Sequence, residues 1–267
     1  MDILTAIKED RLLKLLFSRS RNSKNPLLNR VVDYSNWYFS QLGLSESEVI
    51  ESYKNFIESY NSYMKSFLKT NKYPFELEGN VDSLDRNSYD IILLMSIIVT
   101  KHRLRIMEYL QENLEQKFNN GLIIGCGPGF EIAELKDQFE SFDAYDISIN
   151  NILLEMEGVN FHEEYFDGLS DKKYDRVYLI EILEHMKDPF ELLESSKKVL
   201  SPSGQIICTT ATNIPQFDHY YNFSKDHVHF ESQLKSMGLH ILDMENVVHN
   251  YFTVNVESKN RIYRLKA

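Results

Sequence analysis

A glycine-rich turn and a carboxylate beyond it have the residue types and spacing of a nucleotide-cofactor site. The turn, Gly125-Cys126-Gly127-Pro128-Gly129, follows the apolar run 122–124 and precedes a helix-like segment over 130–138. Asp146 ends a second short run about twenty residues further on, where a carboxylate can accept both ribose hydroxyls. Glycines let the backbone approach a ligand closely, and a helix N-terminus offers free N–H groups. We therefore predict a β-α-β unit that binds a nucleotide-type cofactor.

The same turn argues against two other nucleotide sites. The dinucleotide pattern G-x-G-x-x-G needs a third glycine so that the helix can pack on the strand, and the chain lacks it. A pyrophosphate-binding dehydrogenase is therefore disfavoured. The pattern G-x-x-x-x-G-K-[ST] is also absent, which excludes a P-loop.

A second group of residues has the types needed for proton or metal chemistry. Glu181, Glu184 and His185 follow a predicted fourth strand, and His227 or His229 comes after a predicted fifth. Two carboxylates with one or two imidazoles can hold a divalent ion, which would lower the pKa of a substrate hydroxyl. Alternatively, His185 or His227 acts as a general base without a metal, or Glu184 and His185 only fix the loop. We expect both segments at one edge of the sheet, because adjacent parallel strands end there.

The elements that must position these groups fall into a helical part and an α/β part. Helical periodicity covers residues 1–20, 31–42 and about 88–116, and Ser45 with Glu48 forms a capping box for a further helix. Short apolar strands then alternate with helices, and two strands end the chain. We predict a helical domain over 1–115, placed before a cofactor domain over 116–267 with no flexible linker. Residues 211–226 lie where a strand end opens to a ligand.

The net charge and the cysteine content indicate which binding partners and which cellular compartment to expect. The chain has a formal charge of −11, with a net of −1 over residues 1–115 and −10 over 116–267. An acidic cofactor half disfavours a nucleic acid partner. Two cysteines give no disulfide framework, and no secretory signal is visible, so we predict a cytoplasmic protein. The longest apolar run, 91–99, is too short for a transmembrane segment.

The turn and Asp146 closely resemble the first two motifs of class I S-adenosylmethionine-dependent methyltransferases. The passage from the fourth strand through E-H-M-x-D-P to V-L-S-P-S-G resembles the same family, so the likeness covers roughly residues 119–212. The nearest group is the ubiquinone-biosynthesis-like small-molecule methyltransferases. This resemblance implies a Rossmann-like seven-stranded sheet with an antiparallel C-terminal edge hairpin, and a helical N-terminal domain that caps the active site. One departure is Ile123, where the family usually has an acid that helps to organise the turn and the methionine end of the cofactor.

The resemblance also implies which residues bind the cofactor and which perform the chemistry. Asp167 corresponds to the acid that contacts the adenine amino group. The E-x-x-E-H pattern with a distant histidine is similar to a pattern found in two groups of metal-assisted enzymes. These are the phenol O-methyltransferases of the ubiquinone type and the small-RNA 3′-terminal 2′-O-methyltransferases. It implies a divalent metal such as Mg²⁺ on Glu181, Glu184, His185 and His227, with His185 and His227 as catalytic residues. The implied S-adenosylmethionine site consists of Gly125, Cys126, Gly127, Gly129, Asp146, Ile147, Asp167, Gly168 and Ile180.

We therefore expect a methyltransferase that moves a methyl group from S-adenosylmethionine to a small-molecule acceptor, at oxygen. An RNA 3′-terminal 2′-O-methyltransferase is one alternative, which the acidic charge disfavours. A catalytically silent subunit that binds the cofactor and serves a partner is another, and Ile123 is the feature in its favour. A homodimer is an assembly that the sequence permits.

Overall fold

The computed structural model describes residues 1–20, 26–78, 85–114, 117–223, 227–249 and 258–267. Within these ranges the centre of the protein is a seven-stranded sheet with the order β3-β2-β1-β4-β5-β7-β6. Strands β1 to β5 are parallel, and β7 runs antiparallel to both β5 and β6. This arrangement confirms the predicted fold class. The strands are β1 Phe118–Ile124, β2 Phe139–Asp146, β3 Val159–Glu163, β4 Tyr174–Leu179, β5 Leu200–Thr212, β6 His240–His249 and β7 Ser258–Lys266.

Helices precede the sheet and connect its parallel strands. The predicted capping box is confirmed, because Ser45 and Glu48 exchange hydrogen bonds at the start of α4. A helical part of seven helices among the described residues precedes β1, as predicted. The helices are α1 Ile3–Glu9, α2 Arg11–Ser20, α3 Pro26–Gln41, α4 Glu46–Thr70, α5 Pro74–Glu78, α6 Arg86–Val99, α7 Lys101–Glu112, α8 Phe130–Leu135, α9 Pro189–Lys198 and α10 His227–Ser236.

Two predicted helices are each broken in the structure by a small polar residue. The helix predicted over 1–20 ends at Asp10, whose carboxylate accepts the N–H groups of Leu12 and Leu13 and so starts α2. The helix predicted over 88–116 is interrupted by Thr100, which has extended backbone angles and donates its hydroxyl to the carbonyl of Ser96. Both side chains offer the backbone a local alternative to the helical hydrogen bond. Residues 201–204, Ser-Pro-Ser-Gly, have residue types typical of a turn, but in the structure they belong to β5.

Strand β1 joins the glycine turn to the rest of the sheet because it pairs with β2 on one side and β4 on the other. Its last residue, Ile124, lies opposite Tyr145, which places the turn beside Asp146. The N–H of Gly125 donates to the carbonyl of Tyr145 at 2.8 Å and holds the start of the turn against the end of β2. Its last three residues, 122–124, are apolar and buried on both faces of the sheet, as is typical of a central parallel strand.

The hydrophobic core continues from the N-terminal helices into the sheet. Ile123 is 1% exposed and belongs to the same buried cluster as Val31, Met95 and Ile106 of the helical part. Leu122, one position earlier, points to the opposite face and a second cluster. Ile123 is therefore a contact between the sheet and the helices that cover it. The division into domains at 115/116 stays a prediction. None of the described helices has the length and apolar character to cross a membrane.

Candidate functional site

The glycine turn has a backbone that only glycine adopts readily. Gly125, Gly127 and Gly129 all have positive φ, at 76°, 51° and 77°. A Cβ atom on Gly127 would lie 3.0 Å from Cδ1 of Leu93 in α6, and one on Gly125 would lie 2.8 Å from Cδ1 of Ile182. The turn is therefore constrained both by its backbone angles and by side chains packed on it.

Asp146 faces the turn across the end of β2. Its Oδ2 accepts the N–H of Gly127 at 3.0 Å, and its Oδ1 accepts the N–H of Ser148 at 3.2 Å. Arg86, at the start of α6, places Nη1 3.5 Å from Oδ1 and also donates to the carbonyl of Ser148. The helical part thus contacts the predicted ribose-binding acid directly. The geometry is compatible with the predicted role, because each carboxylate oxygen can accept more than one hydrogen bond.

The residues predicted to hold the adenine end form a more open surface. Ile147 follows β2 and is 61% exposed, and Asp167 is also exposed, with Oδ1 accepting the N–H of Leu169 at 2.8 Å. Gly168 is buried with a φ of 74°, and Ile180 is buried at the end of β4. Cys126 is buried within the turn, and burial raises the pKa of its thiol. The roles of all these residues in cofactor binding stay predictions.

A second cluster forms where β4 and β5 end. Glu184 and His185 lie in a 3-10 turn after β4, and His219 comes from the segment after β5. One ligand atom from each of these three residues lies within 4.8 Å of the other two. The carbonyl of Glu184 accepts the N–H groups of Tyr220 and Tyr221 at 2.8 and 3.0 Å. These two backbone hydrogen bonds fasten the segment after β5 to the turn after β4.

Asp218 orients His185 and changes its charge. The Nδ1 atom of His185 lies 3.1 Å from the carbonyl oxygen of Asp218 and 3.2 Å from its Oδ2. Tyr89 of α6 donates its hydroxyl to the same Oδ2 at 3.0 Å. Burial lowers the pKa of His185, but the Asp218 carboxylate outweighs burial and raises that pKa to about 9. Burial opposes the charged form of Asp218 as well, yet His185 lowers the Asp218 pKa to about 2. At neutral pH the two residues form an ion pair.

His219 has the opposite protonation state. Burial, followed by the nearby charge of His185, lowers the pKa of His219 to about 3, so its ring is neutral at physiological pH. The ring donates one hydrogen bond to the backbone of Ile214. Its Nδ1 is buried and has no hydrogen-bond partner among the described residues. A neutral ring with one N–H donated leaves Nδ1 as an acceptor.

Glu184 and Glu181 differ although both follow β4. Glu184 is 1% exposed, and burial together with the charge of Glu181 raises its pKa to about 8. Its Oε2 is buried without a partner within the described part of the chain. Glu181 instead has partners on both carboxylate oxygens: Asn260 donates to Oε1 at 2.8 Å, and Nη1 of Arg103 lies 3.6 Å from Oε2. Buried polar atoms without partners are uncommon, so Glu184 and His219 are the candidate ligand contacts of this cluster.

These groups line one end of a cavity between the helical part and the sheet. The cavity has a volume of about 110 Å³, and a comparable apolar cavity of roughly 150 Å³ admits benzene. Glu181, Glu184, His185 and His219 form its polar end. Its remaining wall is mostly apolar and comes largely from the helices, through Tyr53, Phe56, Tyr60, Tyr89 and Ile92, and from Phe217.

The structure brings together only part of the predicted catalytic set. Glu181, Glu184 and His185 line one cavity, but the side chain of His227 lies outside the described residues. His229 is exposed, and its ring centre is 6.1 Å from that of Phe190. Asp218 and His219 were not predicted from the sequence. The available signal was their adjacent position within 211–226, the segment predicted to face a ligand.

Comparisons with known proteins identify one matching family and several similar solved structures. Residues 99–252, more than half of the chain, match the sequence profile of a family described as a methyltransferase domain. No curated protein matched the sequence. One similar solved structure is the N-methyltransferase NodS from Bradyrhizobium japonicum, with 16% identity over 61% of this chain and 94% of that chain and a TM-score of 0.48. Another is an S-adenosylmethionine-dependent methyltransferase from Clostridium acetobutylicum, with 15% identity over 78% and 98% of the two chains and a TM-score of 0.46.

Proposed function

We propose, because this chain belongs to the methyltransferase-domain family, that it moves a methyl group from S-adenosylmethionine to a small-molecule acceptor, at oxygen. The observation that carries the finer part of this proposal is the Oε2 atom of Glu184. It is buried in the wall of a cavity of small-molecule size, has no partner within the described residues, and belongs to a carboxyl group whose pKa is about 8. A base with a pKa near the working pH is well suited to proton transfer.

The residues of the cavity have separate roles in this proposal. When bound, S-adenosylmethionine supplies a methyl group activated by the sulfonium. The ionised Glu184 accepts the proton of the acceptor hydroxyl as the new O–CH₃ bond forms and the S–CH₃ bond breaks. His219 is too weak a base for this step, but its Nδ1 accepts a hydrogen bond from the acceptor or from the newly protonated Glu184. The His185–Asp218 ion pair keeps the segment after β5 in position.

A divalent metal is a second version of the same chemistry. Glu184, His185 and His219 would hold the ion, because their ligand atoms lie within 4.8 Å of one another and combine two imidazoles with a carboxylate. Asp218 fits this arrangement too, since metal-binding histidines commonly donate their other N–H to a carboxylate. The ion would lower the pKa of the acceptor hydroxyl. Compared with the predicted set, His219 takes the place of His227, and Glu181 is not among the grouped ligands.

The acceptor class can be tested with two fractions of the source cells, metabolites below 1 kDa and total RNA. The protein is incubated with labelled S-adenosylmethionine and each fraction, and S-adenosylhomocysteine and labelled product are measured. We expect transfer to the small-molecule fraction. Transfer to RNA alone would support the RNA alternative, and cofactor binding with no transfer to either fraction would support the silent subunit.

Chelation separates the two versions of the chemistry. If Glu184 acts alone, a chelator leaves the rate unchanged and the purified protein contains no stoichiometric metal. If a metal is used, chelation stops turnover, and added Mg²⁺ or Mn²⁺ restores it. Metal analysis of Glu184→Gln gives an independent measure, because this change removes the ligand charge while keeping the size of the side chain.

A further inference from the structure

Two tyrosines of the helical part contact the segment after β5, which carries Asp218 and His219. Tyr73 directly precedes α5 and is 2% exposed, and its hydroxyl oxygen accepts the N–H of Ile214 at 3.0 Å. Tyr89 belongs to α6 and donates its hydroxyl to Oδ2 of Asp218 at 3.0 Å. The two hydrogen bonds join residues that are 141 and 129 positions apart in the chain. No step of the chemistry proposed above uses either tyrosine.

The hydrogen bond of Tyr89 acts on His185 through Asp218. The carboxylate oxygen that accepts this hydrogen bond, Oδ2, also lies 3.2 Å from Nδ1 of His185. Tyr89 therefore limits the directions in which the carboxylate can turn, and the carboxylate in turn orients the imidazole ring. Hydrogen bonds to charged groups are stronger than those between neutral groups, so the loss of this hydroxyl should loosen the ring measurably.

The hydrogen bond of Tyr73 acts on His219 through Ile214. The N–H of Ile214 donates to Tyr73, and the backbone of Ile214 accepts the hydrogen bond from the His219 ring. The ring centres of Tyr73 and His219 lie 6.3 Å apart. Ile214 is thus held from both sides, and its position decides which ring nitrogen of His219 carries the hydrogen. Tyr73 thereby keeps the other nitrogen, Nδ1, available as the acceptor that has no partner among the described residues.

Both links end at the polar end of the cavity. The rings of His185 and His219 have centres 4.9 Å apart, are nearly perpendicular, and line the cavity beside Glu184. A histidine ring can rotate about two side-chain bonds, so a fixed arrangement of two rings requires contacts that hold each of them. Tyr73 and Tyr89 provide such contacts from the helical part, one for each ring.

We infer, resting on the function proposed above, that Tyr73 and Tyr89 position the two histidines for methyl transfer and act through Ile214 and Asp218. They do so without touching the reacting atoms. The polar end of the cavity is therefore fully ordered only while the helical part is packed on the segment after β5. The glycine turn lies outside both links, so binding of the cofactor does not depend on them.

The test replaces each tyrosine by phenylalanine, which keeps the ring and removes only the hydroxyl. Tyr109→Phe is the matched control, because Tyr109 of α7 also donates to a carboxylate, Oδ2 of Asp243 at 2.7 Å, but does not line the cavity. Calorimetry with S-adenosylhomocysteine gives the cofactor affinity and counts the binding sites in each preparation. Methyl transfer to the metabolite fraction below 1 kDa is then measured over a dilution series of that fraction and expressed per binding site.

We expect Tyr73→Phe and Tyr89→Phe each to lower the saturating rate per binding site about tenfold to a hundredfold, because each change removes the partner of a buried or charged group. The affinity for S-adenosylhomocysteine should stay at the wild-type value, and Tyr109→Phe should match the wild type in both measurements. A loss of folded protein alone would lower the number of binding sites and leave the rate per site unchanged.

A second readout needs no acceptor. Nitrogen-15 spectra of the histidine side chains, recorded with chelator present, show which ring nitrogen carries the hydrogen, and His185→Gln and His219→Gln assign the signals. We expect Tyr89→Phe to shift the signals of His185 and Tyr73→Phe to shift those of His219, with neither shift in the control.

If a phenylalanine variant does not fold, the same link is broken from its other side, by Asp218→Asn or by an ester in place of the amide N–H of Ile214. An unchanged rate per site, or unchanged histidine signals, overturns this inference alone. A wild type that transfers methyl groups to neither the metabolite fraction nor RNA overturns the proposed function. The histidine signals then still decide whether the two tyrosines hold the two histidines.

Discussion

The two ends of the candidate site are built in different ways. The end proposed to bind the ribose, named the adenosine end, comes from one continuous stretch, residues 121–148, and contains backbone N–H groups and one carboxylate. The acceptor end combines side chains from α2, α4, α6, α7, the end of β4 and the segment after β5. The first end is encoded by local spacing. The second exists only when distant segments pack together, and burial there raises the pKa of Glu184 and lowers that of His219.

The electrostatic contrast follows from this difference in construction. Asp146 contacts two backbone N–H groups and a guanidinium near the surface of the sheet edge. Within the cavity, burial is the main cause that raises the pKa of Glu184 to about 8 and lowers the pKa of His219 to about 3. Cofactor affinity at the adenosine end should therefore change little when the cavity is altered. The reaction at the acceptor end should respond strongly to a single altered charge.

The largest effect on the reaction rate is expected from Glu184→Gln. This change should affect the acceptor end and leave the adenosine end intact. Losing the proposed base should lower kcat by a factor of about 10² to 10⁴. The affinity for S-adenosylhomocysteine should change little, because Glu184 contacts the acceptor end. Steady-state kinetics and calorimetry on the same preparation check both expectations. Glu191→Gln, at an exposed position of α9, is the control and should behave as wild type. A full rate in Glu184→Gln would reject both the base and the metal ligand.

A change at the other end should reverse this pattern. Gly127→Val adds a side chain at a φ of 51°, and its Cβ would lie 3.0 Å from Leu93. We expect the affinity for S-adenosylhomocysteine to fall about tenfold to a hundredfold, as backbone strain of roughly 1–3 kcal/mol would require.

Gly158→Val is the matched control for this variant. Gly158 has a φ of 80°, but a Cβ there would meet no atom within 4 Å. The control therefore carries the same kind of backbone strain away from the turn. Equal affinities in both valine variants would contradict a role of the turn in cofactor binding.

The smallest effect concerns pH and the His185–Asp218 ion pair. The pKa of His185 is raised to about 9 from an ordinary 6.5. The folded state therefore binds its proton more tightly, and this stabilisation is complete below about pH 6.5 and lost as the pH rises through 9. Asp218→Asn should remove this contribution, so the wild type should lose on the order of 1 kcal/mol more than the variant between pH 6 and 9.

Urea unfolding at the two pH values, with chelator present, measures this difference. The raised pKa of Glu184 also makes stability fall with rising pH, and the charge of His185 opposes that rise in pKa. Both proteins therefore carry Glu184→Gln in this measurement, which removes the contribution of Glu184 from the comparison. Asp137→Asn, at an exposed carboxylate, should follow the wild type. Parallel stability curves for wild type and Asp218→Asn would show that the ion pair does not contribute.

The outcome of particular predictions shows where sequence patterns stop being informative. The β-α-β unit and the approach of Glu181, Glu184 and His185 to one sheet edge followed from strand order, because parallel strands end at the same edge. The helix breaks at Asp10 and Thr100 were missed, since apolar periodicity continues across both. Asp218, His219, Tyr73 and Tyr89 were also missed, because their partners lie far away in sequence. The roles of the predicted cofactor residues stay predictions.

The sequence by itself determined the sheet, the glycine turn beside Asp146 and the methyltransferase-domain family. Each of these depends on residues that are close along the chain or on a simple apolar period. Only the tertiary structure decided that Ile123 packs against the helices, that Tyr89 holds Asp218 and that His219 joins Glu184. The physical reason is that protonation and ion pairing depend on burial and on distances between side chains, and neither quantity is contained in the spacing of residues along the chain.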